Sequence, residues 1–583
     1  MALRMAATRF AGPSQSQSMA LPYLVDTRRA TGRTILLDAP GAIMEASPPA
    51  EIATNLATRW RREARRLAIG LGWAETRVNT IWFAPSLHLG LTAPVDQLMV
   101  ATYVAEWAYE LALSGLIEHE VPRRSRILAR LSRRRDSAAN PLLDQMYRRA
   151  GRERAQILLG EGDVSVGEGA MAQTWPQAEP PDADSINWSE KRHRLPIALV
   201  TGTNGKTTTT RLLARMAELA GKVPGYCCTD SVNVGGEVLD RDDYSGPGGT
   251  RMVLRHPRTE FAVLEVARGG MLRRGLGVRF ADAAIVTNIG DDHMHDMGIH
   301  TRTQLARVKF LVAQSLKPNG VLITNLDNEW CREQARKAER AVFWFALNPP
   351  ARSNMHCPGG VRGLATVRDG MLVLEDDRRR IPLLAADELG MPGGGAAAHN
   401  VANALAAAAA ARSLKLPLNA IRGALRSFGR SPDDNPGRSN VFQIAGATVL
   451  ADFGHNPQSL AAIFGTAHGL PHQRLLISIG QGGDRSDEAI RALGVLAAEQ
   501  HPALLVVKDM PKYLRGRAVG EIPDLLAAGA QSAGLSGDRV LRVGGDIDAW
   551  ETVHARLQPG DLAIIFVHSE IEDVFERLRA LAR

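Results

Sequence analysis

Residues 195–209 read Leu195-Pro196-Ile197-Ala198-Leu199-Val200-Thr201-Gly202-Thr203-Asn204-Gly205-Lys206-Thr207-Thr208-Thr209. Pro196 to Val200 is a short apolar run, the pattern of a buried strand, and Thr207 to Ala220 carries helical periodicity. A Gly-rich turn joins them. Its glycines let the backbone wrap close to an anion, and the free N–H groups at the helix start attract one. Lys206 adds a point charge suited to terminal phosphates, and the Thr207 hydroxyl can ligate Mg²⁺. The spacing Gly-x-x-Gly-Lys-Thr is shorter than the usual Gly-x-x-x-x-Gly-Lys-Thr. Even so, Gly-Lys-Thr opening a helix straight after an apolar strand reads as a phosphate loop. Gly202, Thr203, Asn204, Gly205, Lys206, Thr207 and Thr208 are therefore expected to hold the phosphates of a nucleotide.

Outward from this loop, Phe261 to Glu265, Ala283 to Thr287 and Gly320 to Asn325 are further buried-strand runs that end in polar residues. Strands alternating with helices predict a doubly wound parallel sheet, with its ligand at the carboxyl ends of the strands. Glu265 ends one such strand, where a carboxylate can hold Mg²⁺, a hard ion that prefers oxygen. Thr287-Asn288-Ile289-Gly290-Asp291-Asp292-His293 follows the next and offers Asn, Asp and His. From about Val441 a second alternation begins, with strand candidates Thr448 to Ala451, Leu475 to Ile479, Leu504 to Val507 and Leu562 to Phe566. It predicts a smaller Rossmann-like α/β domain. The chain before residue 160 reads as α+β. It has a strand candidate at Thr34 to Leu37 and amphipathic helices at Glu51 to Ala68 and Val95 to Leu113. Glu161 to Arg194, rich in Gly, Pro, Asp and Glu, reads as a linker. The expected fold class is thus α/β. The domains are an α+β domain over 1–160, a linker over 161–194, a central P-loop nucleotide-binding domain over 195–435, and a C-terminal domain over 436–583.

A chain of 583 residues is too long for one hydrophobic core, and three or four domains fit it. Its 45% hydrophobic and 23% charged residues are ordinary for a globular protein. The most apolar runs, such as Ala404 to Ala411, fall well short of the roughly 20 residues of a membrane span, so no membrane partner is expected. Cys227, Cys228, Cys331 and Cys357 are spaced for neither a zinc site nor a disulfide framework. A cytoplasmic location follows. Met1 to Ser18, with two arginines, several serines and no acid, reads as a disordered tail. The net charge of +8 is concentrated in Arg123 to Arg154. Such a face can attract a polyanion, and a solvated helical face is the plainer reading. Aromatics are sparse around it, so a nucleic-acid partner is not expected.

Five motifs together resemble the muramyl ligase superfamily. They are Gly202 to Thr207, Glu265 after its strand, Thr287-Asn288 with Asp292-His293, His399-Asn400-Val401-Ala402-Asn403, and Pro436-Gly437-Arg438 followed by Asp452-Phe453-Gly454-His455-Asn456-Pro457. They cover the chain from Leu195 to its end. Within the superfamily the chain is most similar to the C-terminal ligase half of the cyanophycin synthetases. That likeness rests on Gly246-Pro247 with Arg251-Met252-Val253-Leu254-Arg255, Ala267-Arg268-Gly269-Gly270, Ala306-Arg307-Val308-Lys309, Gly482-Gly483-Asp484-Arg485 and Leu514-Arg515-Gly516-Arg517.

The resemblance implies an ATP-dependent ligase that activates a carboxylate as an acyl phosphate and couples it to an amine, with ATP and two Mg²⁺ ions as cofactors. The implied catalytic set is Lys206, Glu265, His293 and Lys309, and the implied metal ligands are Thr207, Glu265, His293 and Lys309. Lys309 matches a lysine that is carbamylated in several members; unmodified, it is a cation near the phosphates. Asn288, Asn400, Asn403, Arg438 and Asp452 match nucleotide contacts. Arg268 and His455 are expected at the substrate. For the amine, Asp509, Asp484 or Glu488 could pair with a guanidinium, and Arg485 or Lys512 with an α-carboxylate. A basic amino acid, arginine first, added to an Asp-type or peptide carboxylate is the implied reaction. The resemblance leaves a folylpolyglutamate-type or peptidoglycan-type ligase as an alternative, and a non-catalytic nucleotide-binding scaffold as one of another class. Cyanophycin synthetases also carry an ATP-grasp domain. The region before Leu195 is too short for one beside a small N-terminal domain, so a separate ATP-grasp ligase is the expected partner for any other step. Relatives also imply a homo-oligomer.

Overall fold

The computed structural model describes residues 22–291, 294, 296–376 and 379–582. The chain divides into two compact units. One holds the chain up to Ala30 and Leu36–Ala139, the other Thr31–Ile35 and Asn140–Arg583.

In the first unit, four antiparallel strands are ordered Leu24–Ala30, Gly41–Ala46, Ser86–Thr92, Val78–Phe83. The helices Ala50–Gly70 and Leu98–Leu113 pack with this sheet. Leu56, Trp60, Ala64 and Leu67 recur on one stripe of the first helix and are buried. The Trp60 indole N–H donates to the Ala105 carbonyl at 3.0 Å. The strand expected at Thr34 to Leu37 does not form: the backbone bends through these residues, where the chain passes from one unit to the other. The arginine-rich stretch forms the helix Arg124–Ala138 here and the helix Pro141–Arg152 in the second unit, and part of its charge is paired, as in Arg124 with Glu63 at 2.7 Å.

In the second unit, residues 161–194 are no plain linker. Ile157–Leu159, Asp163–Val166 and Gln173–Pro176 form a three-stranded antiparallel sheet. The Gly and Pro residues that mark a loop are its turns, while Val164 and Val166 are fully buried. Arg255 clamps this sheet through Asp163 at 2.8 and 2.9 Å.

His193 ties the same region to the central domain. Its Nδ1 lies 2.9 Å from Glu168 and its Nε2 3.1 Å from Asp282, which also pairs with Lys317. Burial opposes the imidazolium, but Asp282 and Glu168 outweigh it and push its pKa from 6.5 up to about 9. A group raised on folding adds stability that is complete below pH 6.5 and lost as pH rises through about 9. His193→Gln is therefore expected to cost about 3 kcal/mol at and below neutral pH and little at high pH. The shift of the urea midpoint against pH measures this, and an equal loss on both sides would contradict it.

The central sheet has eleven strands. Its middle is parallel, in the order Pro224–Cys227, Phe261–Glu265, Ile197–Thr201, Ala281–Val286, Leu316–Asn325, Val342–Phe345, Val361–Arg368. The expected parallel sheet is thus confined to the middle, and both edges are extended by antiparallel hairpins. These are Val232–Val234 with Glu237–Asp240 at one side, and Met371–Asp376 with Arg379–Ala385 at the other. Ile197–Thr201 sits between the strands ending at Glu265 and Val286, so the chain winds outward in both directions from it. That is the switch point where the loops diverge. The helix Ala398–Ser413 lies in the same core, with Ala404 to Ala411 fully buried.

The last domain is a six-stranded sheet ordered Asn440–Ile444, Ala447–Asp452, Asp561–Phe566, Arg474–Gly480, Leu504–Lys508, Val540–Val543. Only its first pair is antiparallel. Among the described residues no helix is long and apolar enough to cross a membrane.

Candidate functional site

The loop Gly202–Gly205 is built for close approach. Gly205 caps the helix Lys206–Leu219 with φ +80°, and Gly202 has φ +149°. A Cβ at Gly205 would lie 2.1 Å from Asn403 Oδ1, and one at Gly202 1.9 Å from Thr287 Oγ1. Gly205→Ala is expected to cost about 1–3 kcal/mol through the left-handed backbone alone, with the clash against Asn403 added. Thermal unfolding reports it, and an unchanged midpoint would contradict it.

The neighbouring strand end grips the loop. Asn204 N donates to Asn288 Oδ1 at 2.9 Å, Asn288 Nδ2 returns to Asn204 O at 3.1 Å, and Thr287 Oγ1 donates to the same carbonyl at 2.6 Å. Lys309 Nζ, buried, donates to Gly202 O at 2.7 Å. Lys206 Nζ donates to Thr203 O at 2.9 Å.

Glu265 is fully buried behind the loop. It accepts from Thr207 Oγ1 and Thr229 Oγ1, each at 2.9 Å. Burial raises its pKa, against the opposing charge of Lys206 and the two hydroxyls. One carboxylate and two hydroxyls form an all-oxygen donor set, which suits Mg²⁺ completing its shell with phosphate and water. Among the described residues no group of three or more His, Cys, Asp or Glu could hold a metal by itself. The glycine cradle and this donor set fit a nucleotide polyphosphate with Mg²⁺.

A cavity of about 790 Å³ opens above the loop, between the central and C-terminal domains. Thr203, Asn204, Gly205, Lys206, Thr207 and Thr208 line its floor. Arg268, Asn288, Lys309, Asn400 and Asn403 line it from the central domain, and Arg438, Asp452, His455, Asp484 and Arg485 from the C-terminal one. Burial holds the His399 imidazole neutral, with its pKa lowered to about 4. Arg438 stacks 4.6 Å over Phe453 and reaches Asp230 of the central domain at 3.3 Å. Asp452 accepts the Ser439 and Gly454 N–H groups, both at 2.7 Å, while burial raises its pKa.

Not every expected residue meets this cavity. Asp509 turns its Oδ2 to Gly520 N at 2.7 Å, and Lys512 donates to Ser569 O at 3.2 Å. Neither lines the cavity. Asp292 and His293 lie outside the described residues.

The structure adds residues the sequence reading left out. Asn456 Nδ2, from the C-terminal domain, donates to Asn204 Oδ1 at 2.9 Å, and Asn435 Nδ2, at the end of the central domain, donates to Thr208 Oγ1 of the following helix at 3.1 Å. Asn456 stands inside a motif already noted. His568 also lines the cavity, just past the last strand. The rule that ligands gather at strand ends could have found it. Its Nε2 bonds Gly454 O at 3.0 Å, and its Nδ1 lies 3.2 Å from Lys508 Nζ, which pairs with Asp546.

Comparison with known proteins gives two matched families. Residues 200–411 match the Mur ligase middle domain and residues 437–566 the Mur ligase glutamate ligase domain. Over 390 residues, 67% of this chain, the sequence is 36% identical to the cyanophycin synthetase of Crocosphaera subtropica, of which it covers 44%. It is 28% identical over 403 residues to the UDP-N-acetylmuramate–L-alanine ligase of Xylella fastidiosa, covering 66% of this chain and 74% of that one. A solved structure of E. coli FolC in complex with DHPP and ADP aligns at 21% identity and a TM-score of 0.48, over 66% of this chain and 89% of that chain. The chain spans less than half the length of the cyanophycin synthetases it matches.

Proposed function

The chain belongs to the Mur ligase family through its middle and C-terminal domains, and from that premise we propose that it is an ATP-dependent ligase joining a carboxylate to an amine. The observation that carries this reading is the phosphate loop. It lies at the switch point of the central sheet, backed by buried Glu265, and its Asn204 side chain is held by Asn456 from the C-terminal domain. A nucleotide on that loop faces the cavity where the two domains meet.

The reaction runs in two displacements. A carboxylate oxygen attacks the γ-phosphorus of ATP, ADP leaves, and an acyl phosphate forms. The amine then adds to the acyl carbon, phosphate departs with the C–O bond electrons, and the amine gives up its proton. Charge spreads over the moving phosphoryl group, so the protein's part is positioning and cation clamping. Lys206 clamps the β- and γ-phosphates. Thr207 and Glu265 would hold one Mg²⁺, which would supply positive charge to neutralise the phosphates. His293 and Lys309 would serve a second ion, Lys309 when carbamylated; unmodified, its ammonium would stand as a cation near the phosphates. Asn288, Asn400 and Asn403 position the nucleotide from the central domain, and Arg438 and Asp452 from the C-terminal one. Arg268, His455, Asp484 and Arg485 face the substrates. Closure of the C-terminal domain over the cavity keeps water from the acyl phosphate.

The amine is a basic amino acid, and the acceptor an Asp-type or peptide carboxylate. The likeness to cyanophycin synthetase supports both. The chain performs one coupling, and a separate ATP-grasp ligase performs any other. Four free, buried cysteines support a cytoplasmic setting. The test is mass spectrometry of products from the full chain with ATP, Mg²⁺, a panel of amino acids and short Asp-containing peptides, alongside phosphate release. Amine-dependent release with a coupled product supports the ligase. Nucleotide binding without release for any amine favours a non-catalytic scaffold. Unaided polymerisation of two amino acids contradicts the single-coupling assignment.

A further inference from the structure

Four carboxylates line the cavity: Asp243, Asp296, Asp452 and Asp484. Three are already answered. Asp296 pairs with Arg268, Asp484 with Arg485 at 3.1 Å, and Asp452 accepts two backbone N–H groups. Asp243 differs. Its Oδ1 accepts only from Ser245, from N at 3.0 Å and Oγ at 2.5 Å, and among the described residues no cation pairs with it.

The loop that carries Asp243 is fixed. Asp243 N donates to Asp242 Oδ1 at 2.7 Å, Tyr244 N to Cys228 O at 3.0 Å, and Ala267 N to the carbonyl of buried Ser245 at 2.8 Å. Tyr513, from the C-terminal domain, lines the same cavity. Burial and the nearby negative charge of Asp243 raise its phenol pKa. The Arg515 guanidinium already lies over one face of that ring, 5.6 Å from its centre, so a substrate cation stacks on the opposite face or at the ring edge.

We infer that Asp243 is the specificity-determining carboxylate for the amine substrate: it pairs with the cationic side chain of the incoming amino acid, with the Tyr513 ring as the platform beside it. This rests on the ligase reading above. It assigns the role to a residue of the central domain, where Asp509 and Glu488 stand outside the cavity and Asp484 is paired within the protein. A neutral side chain of the same shape leaves Asp243 without a counter-charge and binds less well. A charge-assisted pair of this kind separates the two by about 10- to 100-fold in KM.

The test uses the full chain with ATP, Mg²⁺ and an aspartyl peptide as acceptor, and compares arginine, citrulline and glutamate by phosphate release. ADP binding and thermal unfolding are measured on every variant. The expected result is that the wild type prefers arginine over citrulline by about 10- to 100-fold in KM, that Asp243→Asn removes this preference, and that Tyr513→Leu weakens it, with ADP affinity and the melting midpoint unchanged in both. An Asp243→Asn protein that still prefers arginine overturns the inference and leaves the ligase reading standing, as does a wild type that couples citrulline or glutamate best. A wild type that binds ADP and releases no phosphate with any amine removes the ligase reading, and this inference falls with it.

Discussion

Lys206→Ala is expected to abolish coupling, lowering kcat by about 10³- to 10⁵-fold while the protein stays folded. Lys206 opens the helix behind the loop, lines the cavity, and is the cation whose charge acts on Glu265. It has no part in the apolar core, so the melting midpoint moves little. The loss falls on the phosphoryl step, because the clamp is needed most when negative charge spreads over the moving group. Lys206→Arg does not restore activity, since a planar fork on a longer stem cannot occupy the position of a compact ammonium. Amine-dependent phosphate release by the purified variants measures this. Normal turnover in Lys206→Ala would place the phosphate site elsewhere in the chain.

Lys508→Met is expected to destabilise the C-terminal domain by about 3–5 kcal/mol. Lys508 is fully buried, pairs with Asp546, and faces His568 Nδ1 at 3.2 Å. Burial and the Lys508 charge hold His568 neutral, its pKa lowered to about 3, and the ammonium keeps Asp546 well below the usual carboxylate range. Removing the cation leaves Asp546 ionised in the core, held only by the N–H groups of His568, Ser569 and Glu570. The second change, Asp546→Asn on top of Lys508→Met, is expected to recover part of the loss, because the stranded charge is then gone. Calorimetry of the four proteins of this cycle measures the coupling. Equal stability of wild type and Lys508→Met would show that the buried pair contributes nothing to the fold.

The central site was legible for a geometric reason. In a parallel sheet the strands end together, so a short apolar run followed by Thr-Gly, Glu or Thr-Asn marks neighbouring positions in space before any fold is known. Lys206, Glu265 and Asn288 follow that rule, and the structure brings them together. What the rule lacks is direction beyond the strand end. Lys508 closes its strand and points into the core, and the next residue, Asp509, turns to Gly520. The sequence offered Asp509 as a substrate contact because of its position, but the course of its loop decides where it faces. Asp243 sits in the run Arg241-Asp242-Asp243, which reads as solvated charge. Its place in the cavity comes from backbone bonds to Cys228 and Ala267 that no local pattern announces. Residues 161–194 read as a linker for a related cause. Gly and Pro mark the turns of a small antiparallel sheet as readily as a linker, and strands as short as Ile157–Leu159 leave too few residues for a period to show.

The seam between the last two domains is fastened lightly. Asn456 to Asn204 is a neutral bond of roughly 1 kcal/mol, and Arg438 to Asp230 is a partly exposed ion pair at 3.3 Å. Fastenings of that size are weak beside the free energy of the fold, so the C-terminal lobe can swing away without unfolding, as the proposed release of products requires. Two more ion pairs cross the same seam, Arg241 with Glu572 at 3.0 Å and Arg579 with Asp433 at 2.6 Å, and both are largely exposed. Raising salt therefore loosens the hinge, and the pace of product escape rises with ionic strength.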